Sequence, residues 1–319
     1  MPRYGISPGR AIIVFINFIW QRRLYILFDF FSAIPPEYRA LLGSFFFSCN
    51  QMIVRRLTER ASPLTITMMV NFWMAVTAIF LVPIFDSFDG DIYLALLFFL
   101  GVGFLGQATA RFLAYWSNTL IGVSRTNTVV AGSPIGAAIM GVVILGERPS
   151  IEIWIGMVFI VVGLIVLTSE RGGGSYPLRM YTYAFIAMLA FSITPYLRKG
   201  AMTALSAPAF GVIVSTIIAN ATLMTTSRFM AGPQKFEFSR SLALASIPAG
   251  IFAMAAALNF WTALRDGPLT VISPLVRMTP IFVIILSAIF LRGKEIITMR
   301  LILATGVVVI GAALITANP

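Results

Sequence analysis

Residues 133–163 read SPIGAAIMGVVILGERPSIEIWIGMVFIVVG, and residues 279–311 read TPIFVIILSAIFLRGKEIITMRLILATGVVVIG. Each opens on a hydroxyl residue followed by proline and runs through an apolar stretch. Each then turns at a short segment containing a glutamate, Glu147 or Glu295, and resumes as a second apolar stretch spaced by glycines, Gly156 and Gly163 or Gly306 and Gly311. Sliding the second half of the chain over the first at an offset of about 145 residues extends the correspondence outward. Phe47-Ser48 falls on Phe191-Ser192, Ser62-Pro63 on Ala207-Pro208, Trp116 on Trp261, and Gly122 on Gly267. Landmarks in this order at a nearly constant offset mark an internal duplication. The turns differ, because Leu145-Gly146-Glu147 is met by the longer Leu291-Arg292-Gly293-Lys294-Glu295.

Composition sets the solvent. The chain is 59% hydrophobic and 11% charged, with a mean hydropathy of +0.92. Soluble domains carry about 25% charged residues, and a water-facing surface cannot be built from so few. The apolar runs are too long and too closely spaced for soluble cores, so the solvent is lipid. A spanning helix needs about 20 mostly apolar residues. Ten such runs emerge, near 40–57, 64–85, 92–116, 119–145, 151–169, 180–198, 208–229, 242–264, 268–291 and 297–316. The expected fold is all-α and membrane-integral, with about ten transmembrane helices in two five-helix units at 40–170 and 180–319. Five is odd, so the second unit must enter the membrane from the opposite side, and the repeats are expected to be inverted.

Residues 1–39 stand apart. The apolar stretch from Ala11 to Trp20 is cut by Gln21, Arg22 and Arg23 before Leu24 resumes, so neither half can span. The segment reads either as an interfacial helix in the headgroup layer or as a terminal extension. The net charge of +11 is carried mostly by connectors, where anionic headgroups can neutralise it, so nucleic acid is not an expected partner. The single cysteine, Cys49, permits no intramolecular disulfide, and the absence of histidine removes the commonest metal ligand and general base. No cofactor, metal site or Walker motif is expected, and no enzyme signature such as HExxH or Gly-x-Ser-x-Gly is present.

The twice-repeated arrangement of Ser-Pro or Thr-Pro, apolar helix, Glu-bearing turn and Gly-spaced last helix resembles the EamA-type members of the drug/metabolite transporter superfamily. The resemblance covers nearly everything from about residue 40 to the C-terminus. It implies a ten-helix protein of a bacterial inner membrane with both termini cytoplasmic. It also implies a central cavity lined by helices one, three and four of each repeat, and movement of small metabolites, often outward. Charge alone does not set the orientation: the N-terminal side holds nine Lys and Arg and the opposite side twelve, without the asymmetry that the positive-inside rule needs.

Two arginines fall inside expected spans, where a charge is costly and by default functional. Arg111 sits in the third span with Gln107 and Tyr115 at helical spacing, and Arg277 sits in the ninth. Asp266, Glu147, Glu152 and Glu295 all fall at helix ends, so the expected partner of these arginines is a substrate bearing a carboxylate or phosphate, which a guanidinium binds bidentately. The competing role is bonding to carbonyls freed by nearby prolines, or snorkelling to the headgroups. Trp116, with Asn118, and the corresponding Asn259 and Trp261 complete the candidate substrate-binding set, while Trp at helix ends also belongs to the interfacial belt. Asn50, Gln51, Asn71, Asn127 and Asn220 read as ties between helices.

The function these features point to is a secondary transporter (a facilitator, exchanger or exporter) moving a small metabolite by alternating access. A lipid or lipid-precursor flippase on the same scaffold is the rival. The expected partners are the small-molecule substrate and membrane lipids, and pairing of two copies into a homodimer is left open.

Overall fold

The computed structural model describes residue 31 and residues 33–121, 123–168, 177–228, 236, 238–290 and 299–317. The segment carrying the expected interfacial helix, save residues 31 and 33–39, lies outside the described residues, as do the turn from Leu291 to Glu295 and the side chain of Tyr115. Among the described residues every regular element is helical.

Helix α1 (Pro36–Leu57) starts at Pro36 rather than near residue 40. Proline has no N–H to lose at a first helical position, and Glu37 places negative charge in the first turn, where the helix dipole favours it. In α2 (Pro63–Phe85), the Ser62 hydroxyl caps the helix by accepting from Thr65 N at 3.2 Å. α3 (Ile92–Gly101), whose cap is Asp91, passes directly into a π-helical segment, Val102–Ala110, and then into α4 (Arg111–Ile121). There follow α5 (Val123–Val130), α6 (Ser133–Val143) and α7 (Ile151–Thr168), and then the second half: α8 (Leu178–Ala204), α9 (Pro208–Ser227), α10 (Arg240–Ala245), α11 (Ile247–Asp266), α12 (Leu269–Val276), α13 (Thr279–Phe290) and α14 (Met299–Ala317).

Three expected spans are interrupted: 242–264 at the single residue Ser246, between α10 and α11, and two others ahead of a central proline. Residues 119–145 and 268–291 read as continuous helices, but α5 ends at Val130 and α12 at Val276, each four residues before a proline, Pro134 or Pro280. The proline ring clashes with the carbonyl four residues back and offers it no N–H, so the helix stops there and restarts. The carbonyls at the breaks find other donors. Ser44 Oγ of α1 lies 2.9 Å from both Leu275 O and Val276 O, and Ser192 Oγ of α8 donates to Ser133 O at 3.0 Å. The first helix of each half therefore braces the broken helix of the other.

Five segments are long and apolar enough to cross a membrane: Leu64–Phe85, Ile92–Ala114, Leu178–Ala204, Pro208–Ser227 and Arg240–Asp266. Shorter apolar helices accompany them, two of which are the spans broken ahead of proline. The outer surface carries exposed Phe80, Tyr93, Leu97 and Val143, which water would not tolerate in this density and lipid does.

Two pairs of corresponding helices pack against each other in opposite directions. On α2 and α9, Asp86 at one end meets Ala209 and Phe210 at the start of the other, while Asn71 near the α2 start bonds Asn220 at 2.9 Å. On α7 and α14, Gly156 faces Gly311 and Gly163 faces Ala304. A Cβ on Gly156 would lie 2.6 Å from the Gly311 carbonyl, a distance that no real Cβ tolerates. Close backbone approach is what holds helices together where lipid removes the hydrophobic drive between them. Gly156→Val therefore costs about 1–3 kcal/mol by overpacking, read as a lower melting temperature of the purified protein in detergent.

Candidate functional site

The two halves enclose a cavity of about 1070 Å³, with walls from α1, α2, the π-helical segment, α6, α8, α11 and the break between α12 and α13. Its rim carries the exposed Arg55, Arg56, Glu59 and Arg60 at the C-terminal end of α1.

The opposite end, at the N-terminus of α1, is shut by polar contacts. Arg39 Nη2 lies 2.7 Å from Asp266 Oδ2, and Arg265 grips both oxygens of Asp266 while Nη1 reaches Ser206 Oγ at 3.1 Å. The Glu147 carboxylate accepts from Leu269 N (2.6 Å) and Thr270 N (2.9 Å), capping α12, with Lys199 Nζ 3.7 Å away. The turn between α2 and α3 is stitched to the segment between α8 and α9: Ser87 N donates to Ser206 O, Asp91 N to Ala204 O, and the Asp86 carboxylate accepts from Ala209 N and Phe210 N.

Burial pushes the Asp86 carboxyl up to about 6, against the two backbone N–H groups that favour its charged form. Folded Asp86 thus holds its proton more tightly than an unfolded aspartate. Its contribution to stability is complete below pH 3.8 and is lost as pH rises through 6. The melting temperature of the wild type, measured relative to Asp86→Asn, should accordingly rise on going from pH 7 to pH 5.

Three arginines share the cavity wall. Arg111 follows the π-helical segment, a wide-turn element frequent at functional sites. That segment is wedged where Gly103 touches the α9 backbone at Ser215 and Gly106 touches Thr194 of α8. Arg111 Nη1 approaches Asn71 Oδ1 at 3.5 Å, and Asn71 is oriented by Asn220. Arg277 occupies the break itself, between α12 and α13, with its guanidinium carbon 4.9 Å from the centre of the Phe191 ring. Arg198, on α8, lies over Phe260 at 4.8 Å and Trp261 at 5.4 Å. Arg198 is within Coulombic range of both Arg111 and Arg277. Among the described residues no carboxylate lies at ion-pair distance from Arg198 or Arg277, and Glu59, at the rim, is the one acid on the described wall.

The wall is also rich in unsatisfied polar atoms. Among the described residues, Arg198 Nε, Ser133 Oγ, Ser273 Oγ and Gln107 Oε1 are buried with no hydrogen-bond partner. Beside them, α6 and α13 begin at Ser133 and Thr279, both on the cavity wall, and turn the positive ends of their dipoles toward it.

Of the candidate residues, the structure thus brings Gln107, Arg111 and Arg277 together on one wall. Trp261 is fully buried against Phe99 and supports Arg198 from behind, and Asn259 is buried with Nδ2 bonded to Ala255 O. Trp116 packs beside Phe112 and Tyr183, partly exposed and away from the cavity. Arg198 is absent from the sequence-based set because the sixth span was ended at residue 198, whereas α8 continues to Ala204. The signal was the apolar Ala201, Met202, Ala204 and Leu205 beyond Arg198-Lys199, with no proline before Pro208.

The EamA-like transporter family profile matches this chain twice, over residues 37–169 and 178–317. No curated protein matches. A solved structure described only as a crystal structure of a protein is 18% identical, with 88% of this chain and 96% of that one aligned at a TM-score of 0.72. At that identity the likeness concerns the fold. Two successive matches spanning both halves, on a helical body with several apolar membrane-crossing segments, place the chain in the EamA-like transporter family of the drug/metabolite transporter superfamily, as a multi-pass integral membrane protein.

Proposed function

We propose that the protein is a secondary transporter of a small organic anion bearing carboxylate or phosphate, working by alternating access between two inverted five-helix repeats, ten spans in all. The observation that carries this is the set of Arg111, Arg198 and Arg277 on one cavity wall, two of them without a described carboxylate. Buried charges are costly unless compensated, and a transported anion is the compensation that such a wall awaits. The opposed directions of α2 and α9, and of α7 and α14, support the inverted arrangement. So do the breaks at corresponding places in the two halves, since interrupted helices near the midplane are where transporters of this architecture hold their cargo.

In this reading Gln107, Arg111 and Arg277 contact the substrate, whereas Asn259 and Trp261 act behind Arg198. The state described is open toward Arg55 and Arg60 and closed at the α1 N-terminus, so cytoplasmic termini would put the mouth on the far side of the membrane. The test is uptake of labelled carboxylates and phosphates by vesicles carrying the purified protein. Loss of one charge-assisted hydrogen bond is worth about 1.5–3 kcal/mol, so Arg111→Gln and Arg277→Gln should each lower anion uptake at least about tenfold. Normal transport by both variants would overturn the reading. Stabilisation by lipids with none by any soluble anion would favour a flippase instead.

A further inference from the structure

We infer that the ligand of this cavity is a multivalent organic anion, with at least two negative charges on separate carboxylate or phosphate groups, and that Arg198 binds it alongside Arg111 and Arg277. The inference rests on the reading of the cavity as an anion site and goes on to specify the charge and the third contact.

The first argument is charge balance. Three guanidiniums face one space, those of Arg111 and Arg277 within Coulombic range of Arg198, and Glu59 at the exposed rim is the one acid on the described wall. Arg198 and Arg277 have no described carboxylate at ion-pair distance, so a monovalent anion would leave one of the two uncompensated in a half-buried site. An anion with two or three charges balances them, and separate anionic groups match separate guanidiniums on α4, α8 and the α12–α13 break.

The second argument is the hydrogen-bond census. The buried groups that lack partners among the described residues include three donors, Arg198 Nε and the hydroxyls of Ser133 and Ser273, each on the wall. The starts of α6 and α13 add positive dipole ends. A wall so rich in donors suits a ligand rich in acceptor oxygens, and carboxylates and phosphates are acceptors on every oxygen when ionised. Gln107, with Oε1 unsatisfied, adds an amide able to meet a hydroxyl on the same ligand.

The third argument is how Arg198 and Arg277 are held. Phe260 and Trp261 flank one guanidinium and Phe191 lies under the other. An aromatic face attracts a cation without cancelling its formal charge, so it fixes the side chain and leaves its N–H edge and its charge for the ligand. A carboxylate in the same place would have used up both.

The test is a charge series on a fixed carbon skeleton, binding measured by calorimetry on purified protein with butyrate, succinate and tricarballylate. Succinate should bind at least about tenfold tighter than butyrate, and tricarballylate at least as tightly as succinate. Arg198→Gln should shrink the gap between butyrate and succinate to less than about threefold, while Arg198→Lys, which keeps the charge, retains most of it. Inorganic phosphate, pyrophosphate and phosphatidic acid vesicles distinguish free phosphate compounds from lipid headgroups as the source of the charge. Equal affinity for butyrate and succinate, with both dependent on Arg277, would overturn the inference while sparing the anion site. Binding of none of these anions would overturn the anion site as well. A gap that survives Arg198→Gln in a normally melting variant would remove Arg198 from the site.

Discussion

Vesicles carrying this protein and preloaded with succinate, the two-charge probe of the cavity, should take up labelled succinate at least about a hundredfold faster than vesicles loaded with buffer. The reason is electrostatic. In the proposed alternating-access cycle the cavity closes on one side before it opens on the other, and closing it empty would confine the guanidiniums of Arg198 and Arg277, which have no described carboxylate at ion-pair distance, in a space without water. An uncompensated buried charge costs several kcal/mol. About 2.8 kcal/mol of that in the closing step is a hundredfold in rate. A bound multivalent anion removes the cost, so the loaded protein returns and the empty one does not: the cycle becomes exchange. Arg198→Gln should narrow the ratio because one cation fewer needs covering. Equal uptake into succinate-loaded and buffer-loaded vesicles would show that the empty cavity closes freely, and the electrostatic account would be wrong.

What the sequence made legible is what local chemistry dictates. Ser133-Pro134 and Thr279-Pro280 could be read as corresponding positions, and proline physics alone places the ends of α5 and α12 at Val130 and Val276. Both spans nonetheless read as continuous, because mean hydropathy over a window does not register a break that keeps its apolar flanks. Arg111 and Arg277 stood out because apolar residues surround them on both sides. Arg198 did not, since Arg198-Lys199 resembles a helix end until the further turn of α8 is seen.

Other features depend on partners far away in the chain. The π-helical turn forms where Gly103 and Gly106 let α8 and α9 press in, and nothing within Val102–Ala110 announces it. Trp116 and Trp261 correspond in sequence but not in surroundings, because corresponding positions of the two halves meet different neighbours: Tyr183 for one, Phe99 for the other. Arg39 looked like the border of an extension, whereas it is among the largest fully buried side chains of the described residues.

That buried arginine sets the second large effect. Arg39 has 2% of its side chain exposed, and among the described residues its carboxylate partner is Asp266 and its Nε and Nη1 have no hydrogen-bond partner. Removing one member of a buried pair leaves the other charge uncovered, at a cost of about 3–5 kcal/mol. Asp266 is itself 32% exposed and water will reach Arg39 in its absence, so Asp266→Ala should cost about 3 kcal/mol. Arg265 shares Asp266 and reaches Ser206, so the same substitution unties α1 from the connection between α8 and α9. The loss is therefore local to the closed end as well as global. In a Cys49→Ser background, a cysteine placed at Ser206 should react faster with a membrane-impermeant thiol reagent once Asp266 is gone. Replacing Arg39 by Leu together with Asp266→Ala removes both charges and should recover most of the lost stability, since an apolar pair suits this environment no worse than an ion pair. Recovery of stability without recovery of closure would separate the two roles of the pair: the charge balance would account for the melting temperature, and the hydrogen bonds across the halves for the shut end. If Asp266→Ala instead melts as the wild type does and leaves the Ser206 position unreactive, the closed end is held by Glu147 and Asp86 at the starts of α12 and α9, and Arg39 is only packed there.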